Sequence, residues 1–134
     1  EKREIKLRIS GFDIDANAVS LARFHAKAAG LSDRVHFQAA DMRDFSSRFA
    51  HGVAVVNPPY GERLSDERGL RTLYRDFGLM FKRLDEWSLY VLTACGRFEE
   101  WFGRKADRVR KLYNSELQCG FYSFLGKPPA KKGT

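Results

Sequence analysis

The sequence predicts an α/β fold, a mostly parallel sheet flanked by helices and ending in an antiparallel hairpin. Three observations carry that reading. Strand-length apolar runs alternate with segments of helical spacing along the chain. One run, Trp87-Ser88-Leu89-Tyr90-Val91-Leu92-Thr93, is apolar almost throughout, the pattern of a central parallel strand covered on both faces. The last two runs, about Asp107 to Tyr113 and Glu116 to Leu125, lie too close in sequence for a crossover helix and must pair antiparallel. With 134 residues, 43% of them hydrophobic, the chain can bury a core of one domain's size, and no internal repeat or interdomain linker divides it.

The first run, Ile5 to Ile9, leads into Gly11-Phe12-Asp13-Ile14-Asp15. From Ala16 to Gly30 the spacing is helical, with Ala18, Val19, Ala22, Ala26 and Ala29 on one face and Ser20, Arg23 and Lys27 opposite. Asp15 is placed to cap the N-terminus and Gly30 the C-terminus. Val35 to Ala39 reads as the next strand, followed by Ala40-Asp41-Met42. Val53 to Val56 is the third, and it stops at Asn57-Pro58-Pro59-Tyr60. Between Glu67 and Leu84, Leu70, Leu73, Tyr74, Phe77, Phe81 and Leu84 form one apolar helix face, with Arg68, Arg71, Arg75 and Lys82 on the other. Arg97 to Gly103 supplies a short helix whose Phe98, Trp101 and Phe102 belong to the core rather than to a stacking surface. Residues 1–126 are read as the catalytic part, and Lys127 to Thr134 as a loose basic tail.

Composition narrows the function. Only Cys95 and Cys119 occur, with no Cys-x-x-Cys pair or nearby histidine, so neither a zinc site nor a disulfide framework is expected and a reduced, cytoplasmic setting fits. His25, His36 and His51 are isolated and read as structural or solvated. No apolar stretch approaches the roughly 20 residues of a membrane span. The net charge of +7 favours a polyanionic partner, because each phosphate neutralised releases counterions. Arg68, Arg71 and Arg75 can make a phosphate-contacting stripe, with Arg63 and Arg68 nearest in sequence to the Asn57 turn. The alternative for this stripe is an ordinary solvated helix face. The stretch Arg104 to Lys111 has the same two readings.

Asn57-Pro58-Pro59-Tyr60 is the most specific signal, a tetrapeptide that average composition yields in roughly one chain of this length in a few thousand. Its chemistry points to methyl transfer onto a base nitrogen. An exocyclic amine on a nucleobase is a poor nucleophile because its lone pair is delocalised into the ring. The Asn57 side-chain oxygen and the carbonyl between the prolines can each accept one amine hydrogen and aim the lone pair at an electrophile. Successive prolines fix φ and place no competing N–H beside that carbonyl. Tyr60 can stack on a base that has left its own stack. Asn57 is an amide and no general base, so its role is orientation and charge stabilisation, without a covalent intermediate. Asp13, at a strand end, can accept from both ribose hydroxyls of a nucleoside cofactor. Ile14 can lie against the adenine, Asp41 can accept from its amino group, and Met42 can cover its other face.

Gly11-Phe12-Asp13-Ile14-Asp15, Ala40-Asp41-Met42-Arg43-Asp44 and Asn57-Pro58-Pro59-Tyr60-Gly61-Glu62-Arg63-Leu64, in that order, resemble the class I S-adenosylmethionine-dependent amino-methyltransferases. The octapeptide is similar to that of the bacterial RNA methylases that include the 23S ribosomal RNA guanine-N2 methyltransferase RlmL. The resemblance runs from about Leu7 to Leu125. It implies a Rossmann-like sheet, S-adenosyl-L-methionine as cofactor, RNA as partner, Asp13, Ile14, Asp41, Met42 and Asn57 at the cofactor, and Asn57 through Tyr60 at the target base. Guanine N2 of ribosomal RNA is the first choice of target, and adenine N6 in DNA or RNA the rival. The family's first strand and Gly-rich turn, an Asp-Pro-x-Cys-Gly-Ser-Gly type sequence, have no match, and neither has its THUMP-type RNA-binding module. The chain therefore reads as a fragment, with poor activity expected of it alone. A noncatalytic RNA-binding module derived from a methyltransferase is the other class of reading. In the family that first strand lies between those ending at Asp13 and Asn57, so either another segment or chain completes the sheet, or these two strands move together.

Overall fold

A computed structural model describes residues 8–60, 66–114 and 117–130. The elements are β1 (Ile9–Asp13), α1 (Ala16–Ala28), β2 (Val35–Ala39), a 3-10 turn (Met42–Asp44), β3 (Val53–Val56), α2 (Glu67–Lys82), β4 (Ser88–Thr93), α3 (Phe98–Phe102), β5 (Arg108–Asn114) and β6 (Leu117–Phe124). They fall into two compact units, residues 1–45 and 46–134. Among the described residues no helix is long and apolar enough to cross a membrane.

In the first unit β1 and β2 pair in parallel, Ile9 opposite Val35 through Asp13 opposite Ala39. Helix α1 begins where Asp15 turns its carboxylate onto the N–H of Asn17, the expected cap. It ends in a double hydrogen-bonded turn, Gly30 N–H to the Lys27 carbonyl and Leu31 N–H to the Ala26 carbonyl. That turn needs a left-handed residue, and Gly30 supplies it at φ 75°. Of the small-residue face only Val19 is buried, while Leu21 and Phe24 are 57% and 66% exposed. Arg23 donates from Nη2 to the Phe37 carbonyl at 2.7 Å, tying α1 to β2.

The second unit holds a four-stranded sheet in the order β3-β4-β6-β5. β3 and β4 are parallel, and β4-β6 and β5-β6 are antiparallel. The terminal hairpin forms as the sequence requires. Leu89, Val91 and Thr93 of β4 are buried with Tyr122 and Phe124 of β6. Phe81 of α2 and Phe98 and Phe102 of α3 pack on these β6 rings at 4.8 to 6.2 Å between centroids. α2 buries Leu70, Tyr74, Phe77, Met80 and Phe81, and Trp101 is buried beside them, so the aromatic residues of α3 are core. α2 and α3 approach so closely that a Cβ on Gly78 would lie 2.1 Å from the Phe102 carbonyl oxygen.

Two expectations change. The described strands make two sheets rather than one, so closure by drawing the Asp13 and Asn57 strands together is not the arrangement formed. Within its sheet β3 is laddered only to β4, and its Val53 and Val55 are 64% and 74% exposed. Lys127, where a loose tail was expected to start, is held: its N–H donates to Glu86 Oε2 at 2.7 Å and its carbonyl lies 2.8 Å from His51 Nδ1.

Candidate functional site

In the first unit, β1 and β2 stop side by side, because the register sets Asp13 opposite Ala39 and the Ala40 N–H donates to the Asp13 carbonyl at 3.0 Å. Asp13 and Ile14 thus leave one strand end, and Asp41 and Met42 the other. Oδ1 of Asp13 accepts from the Asp15 N–H at 2.9 Å, while Oδ2 has no hydrogen bond among the described residues. Ile14 is 74% exposed. Asp41 is committed differently. It caps the 3-10 turn through the Arg43 N–H, and Arg43 Nε and Nη2 also donate to its carboxylate, the shortest contact being 2.7 Å. That guanidinium holds the Asp41 carboxyl below the usual carboxylate range.

In the second unit, Asn57-Pro58-Pro59-Tyr60 follows β3, and Thr93-Ala94-Cys95 follows the parallel β4 at the same end of the sheet. The Asn57 side chain is exposed and Pro58 is fully buried, with Pro59 and Tyr60 half-buried. Neither the Asn57 side-chain amide nor the Pro58 carbonyl makes a hydrogen bond among the described residues. The Pro59 carbonyl is taken: the Tyr74 hydroxyl donates to it at 2.7 Å. The same hydroxyl lies 2.9 Å from Thr93 Oγ1, which accepts from the Cys95 N–H at 3.1 Å. Burial pushes the Tyr74 hydroxyl up to about 12 and raises the Cys95 thiol, which leaves that thiol a poor nucleophile.

Sequence reasoning assigned Tyr74 to the apolar face and missed its polar end. The signal was available, since a hydroxyl among Leu and Phe positions must find a partner when buried. The arginine stripe is less uniform than its spacing suggests. Arg68, Arg71 and Arg75 are exposed on α2, but the Arg71 guanidinium sits 5.6 Å over the Trp101 ring and Arg75 Nε lies 3.7 Å from Asp76. Arg63 lies outside the described residues.

Residues 1–123 match the family described as RMKL-like, methyltransferase domain (UPF0020). The chain belongs to that family. It is 41% identical over 128 residues to YpsC of Bacillus subtilis, covering 94% of this chain and 33% of YpsC. To the protein named ribosomal RNA large subunit methyltransferase K/L of Methylococcus capsulatus it is 40% identical, over 87% of this chain and 16% of that protein. The crystal structure of SMU.472 complexed with SAH superposes with a TM-score of 0.88 at 43% identity, covering 95% of this chain and 34% of that one. A Listeria monocytogenes structure, described as "a predicted N6-adenine-specific DNA methylase", gives a TM-score of 0.80 at 44% identity over 91% of this chain and 31% of that one. The chain thus spans about a third or less of these relatives. Its fold is the Rossmann-like α/β sheet of class I methyltransferases, mixed in strand direction and ending in an antiparallel hairpin.

Proposed function

We propose that the chain is part of an S-adenosylmethionine-dependent N-methyltransferase acting on an exocyclic amine of an RNA base, with guanine N2 of 23S ribosomal RNA as the favoured target. The observation that carries this is the turn after β3, where an exposed Asn57 amide and a Pro58 carbonyl without a hydrogen bond among the described residues flank a fully buried Pro58 ring. Two acceptors on a rigid turn match the two hydrogens of an amine. Tyr60 supplies the stacking surface, and the half-buried Cys95 thiol, whose pKa desolvation raises, is a poor nucleophile, which supports a reaction without a covalent enzyme intermediate. The relatives named as ribosomal RNA large subunit methyltransferases support RNA as the partner. Arg63, Arg68, Arg71 and Arg75 are the proposed phosphate contacts.

The strand ends of the first unit fit the nucleoside part of the cofactor. Asp13 keeps one carboxylate oxygen unbonded for a ribose hydroxyl, Ile14 offers an exposed apolar surface to adenine, and Met42 stands at the neighbouring strand end beside Asp41. Asp41 can serve the adenine amino group once Arg43 yields a lone pair on its carboxylate. S-adenosylmethionine, when bound, supplies an electrophilic methyl carbon whose bond to sulfur breaks as the bond to nitrogen forms. Asn57 and the Pro58 carbonyl orient the amine and stabilise the positive charge growing on it, and its proton is released to water afterwards. A further segment of the complete protein, or another chain, pairs along β1 and β3 and covers Val53 and Val55.

The test is Asn57→Ala in the complete protein, assayed for methyl transfer to unmodified 23S ribosomal RNA. Turnover should fall by about hundredfold or more, while affinity for S-adenosylhomocysteine changes less than about threefold. Near-normal turnover would overturn the role given to the turn. The likeness to the Listeria protein favours adenine N6 as the second reading. Mapping the methylated base in the same RNA separates the two amines.

A further inference from the structure

The Pro59 carbonyl can only accept, so the single Tyr74 hydroxyl proton, 2.7 Å away, points at it. The Tyr74 oxygen then serves as acceptor toward Thr93, and the 2.9 Å contact between them carries the Thr93 proton. Thr93 Oγ1 in turn accepts from the Cys95 N–H at 3.1 Å. Every proton in the chain Cys95 N–H, Thr93 O–H, Tyr74 O–H, Pro59 carbonyl is thereby assigned, and all run in one direction. Tyr74 and Thr93 are 0% and 1% exposed, so the bond between their hydroxyls is shielded from water.

We propose that Tyr74 and Thr93 are positioning residues for methyl transfer: their ordered hydroxyl chain anchors the Pro59 carbonyl to the end of β4 and so fixes the aim of the Asn57 and Pro58 acceptors. The inference rests on the function proposed for the turn. Its logic is one of division. The turn carries three acceptors in neighbouring residues, the Asn57 amide and the carbonyls of Pro58 and Pro59, and an amine has two hydrogens. Tying the Pro59 carbonyl to Tyr74 takes it out of that set and leaves the Asn57 amide and the Pro58 carbonyl to the amine. The anchor is stiff as well as buried. The Tyr74 ring meets Phe98 edge-on at 5.5 Å and leans on Trp101 at 6.2 Å, and Thr93 is the last residue of a central strand. Burial raises the Tyr74 pKa to about 12, so its hydroxyl stays protonated even at pH values where an ordinary tyrosine begins to ionise.

The experiment compares Tyr74→Phe, Thr93→Val, Thr93→Ser and Asn57→Ala in the complete protein, with kcat on unmodified 23S ribosomal RNA, S-adenosylhomocysteine affinity by calorimetry and the melting midpoint measured for each. Tyr74→Phe keeps the ring packing and Thr93→Val keeps the shape, so each removes the hydroxyl alone. Both should lower kcat by about thirtyfold to hundredfold, as small misplacements of reacting groups do, with cofactor affinity changed less than about threefold. Thr93→Ser, which keeps the hydroxyl, should retain kcat within about threefold. A kcat near wild type in Tyr74→Phe and Thr93→Val, while Asn57→Ala is impaired, sinks the positioning role and spares the reading of the turn. Equal loss in Thr93→Ser and Thr93→Val also overturns it, because the hydroxyl would then not be the operative group. Normal turnover of Asn57→Ala removes the reading of the turn, and the positioning role with it. If Tyr74→Phe does not fold, Thr93→Val and Thr93→Ser decide the question between them.

Discussion

Three aspartates at or just after strand ends and one tyrosine of α2 are spent in different ways. Asp15 is a cap, bonded to the Asn17 N–H. Asp41 is a cap and an ion pair with Arg43. Asp13 braces its own turn with one oxygen and keeps the other unbonded among the described residues. Tyr74, the fourth, is a hydrogen-bond donor sealed in the core. Its raised pKa carries a consequence for stability. Between the ordinary value of 10.0 and the folded value of about 12, the unfolded chain ionises first, so the unfolded state binds fewer protons and stability falls as pH rises. Below pH 10 the contribution is present; by pH 12 about 2 kcal/mol is lost, the slope between the two values approaching about 1.4 kcal/mol per unit. Urea denaturation of wild type and Tyr74→Phe across that range should show the wild type losing stability more steeply by about this amount. Parallel curves would mean that Tyr74 is not the group that titrates.

At the scale of elements, α2 and α3 make the tightest junction in the second unit. Gly78 sits inside α2, where alanine is favoured over glycine by about 1 kcal/mol. Against that gain stands the Phe102 carbonyl oxygen, 2.1 Å from where the new Cβ would be. A backbone atom cannot rotate aside, so the two helices would have to separate, at a cost of about 1 to 3 kcal/mol or more. Overpacking wins, and Gly78→Ala should destabilise the protein by about 1 to 2 kcal/mol in urea denaturation; stabilisation would show that the helices stand further apart. The apolar face of α2 and the terminal hairpin were legible in the sequence because each depends on spacing over a few residues. The α1 face was legible only in part. Its alanines have the right spacing, yet Val19 alone is buried and Phe24 is exposed, because burial depends on what packs against the helix.

Across the whole molecule, the residues divide into two units with separate sheets, and β3 in the second carries two exposed valines. If a further segment of the complete protein covers them, Val55→Lys should change the stability of this chain by less than about 0.5 kcal/mol. In the complete protein the same change would bury an unpaired charge and should cost about 3 kcal/mol or more. Equal effects in the two proteins would show that β3 stays uncovered. The sequence by itself determined the order of the elements, the Asp15 cap and the Gly30 turn, the hairpin, and the Asn57-Pro58-Pro59-Tyr60 motif with its family, because each is written in neighbouring residues or in a short pattern. Tertiary structure alone decided which acceptor of that motif is tied down and that β1 and β3 belong to different sheets. The bond from Tyr74 to Pro59 spans 15 residues and that from Tyr74 to Thr93 spans 19. No local preference encodes such pairs; they exist because the α2 face carrying Tyr74 brings its buried hydroxyl to the end of β4 and to the turn after β3, where it must find a partner.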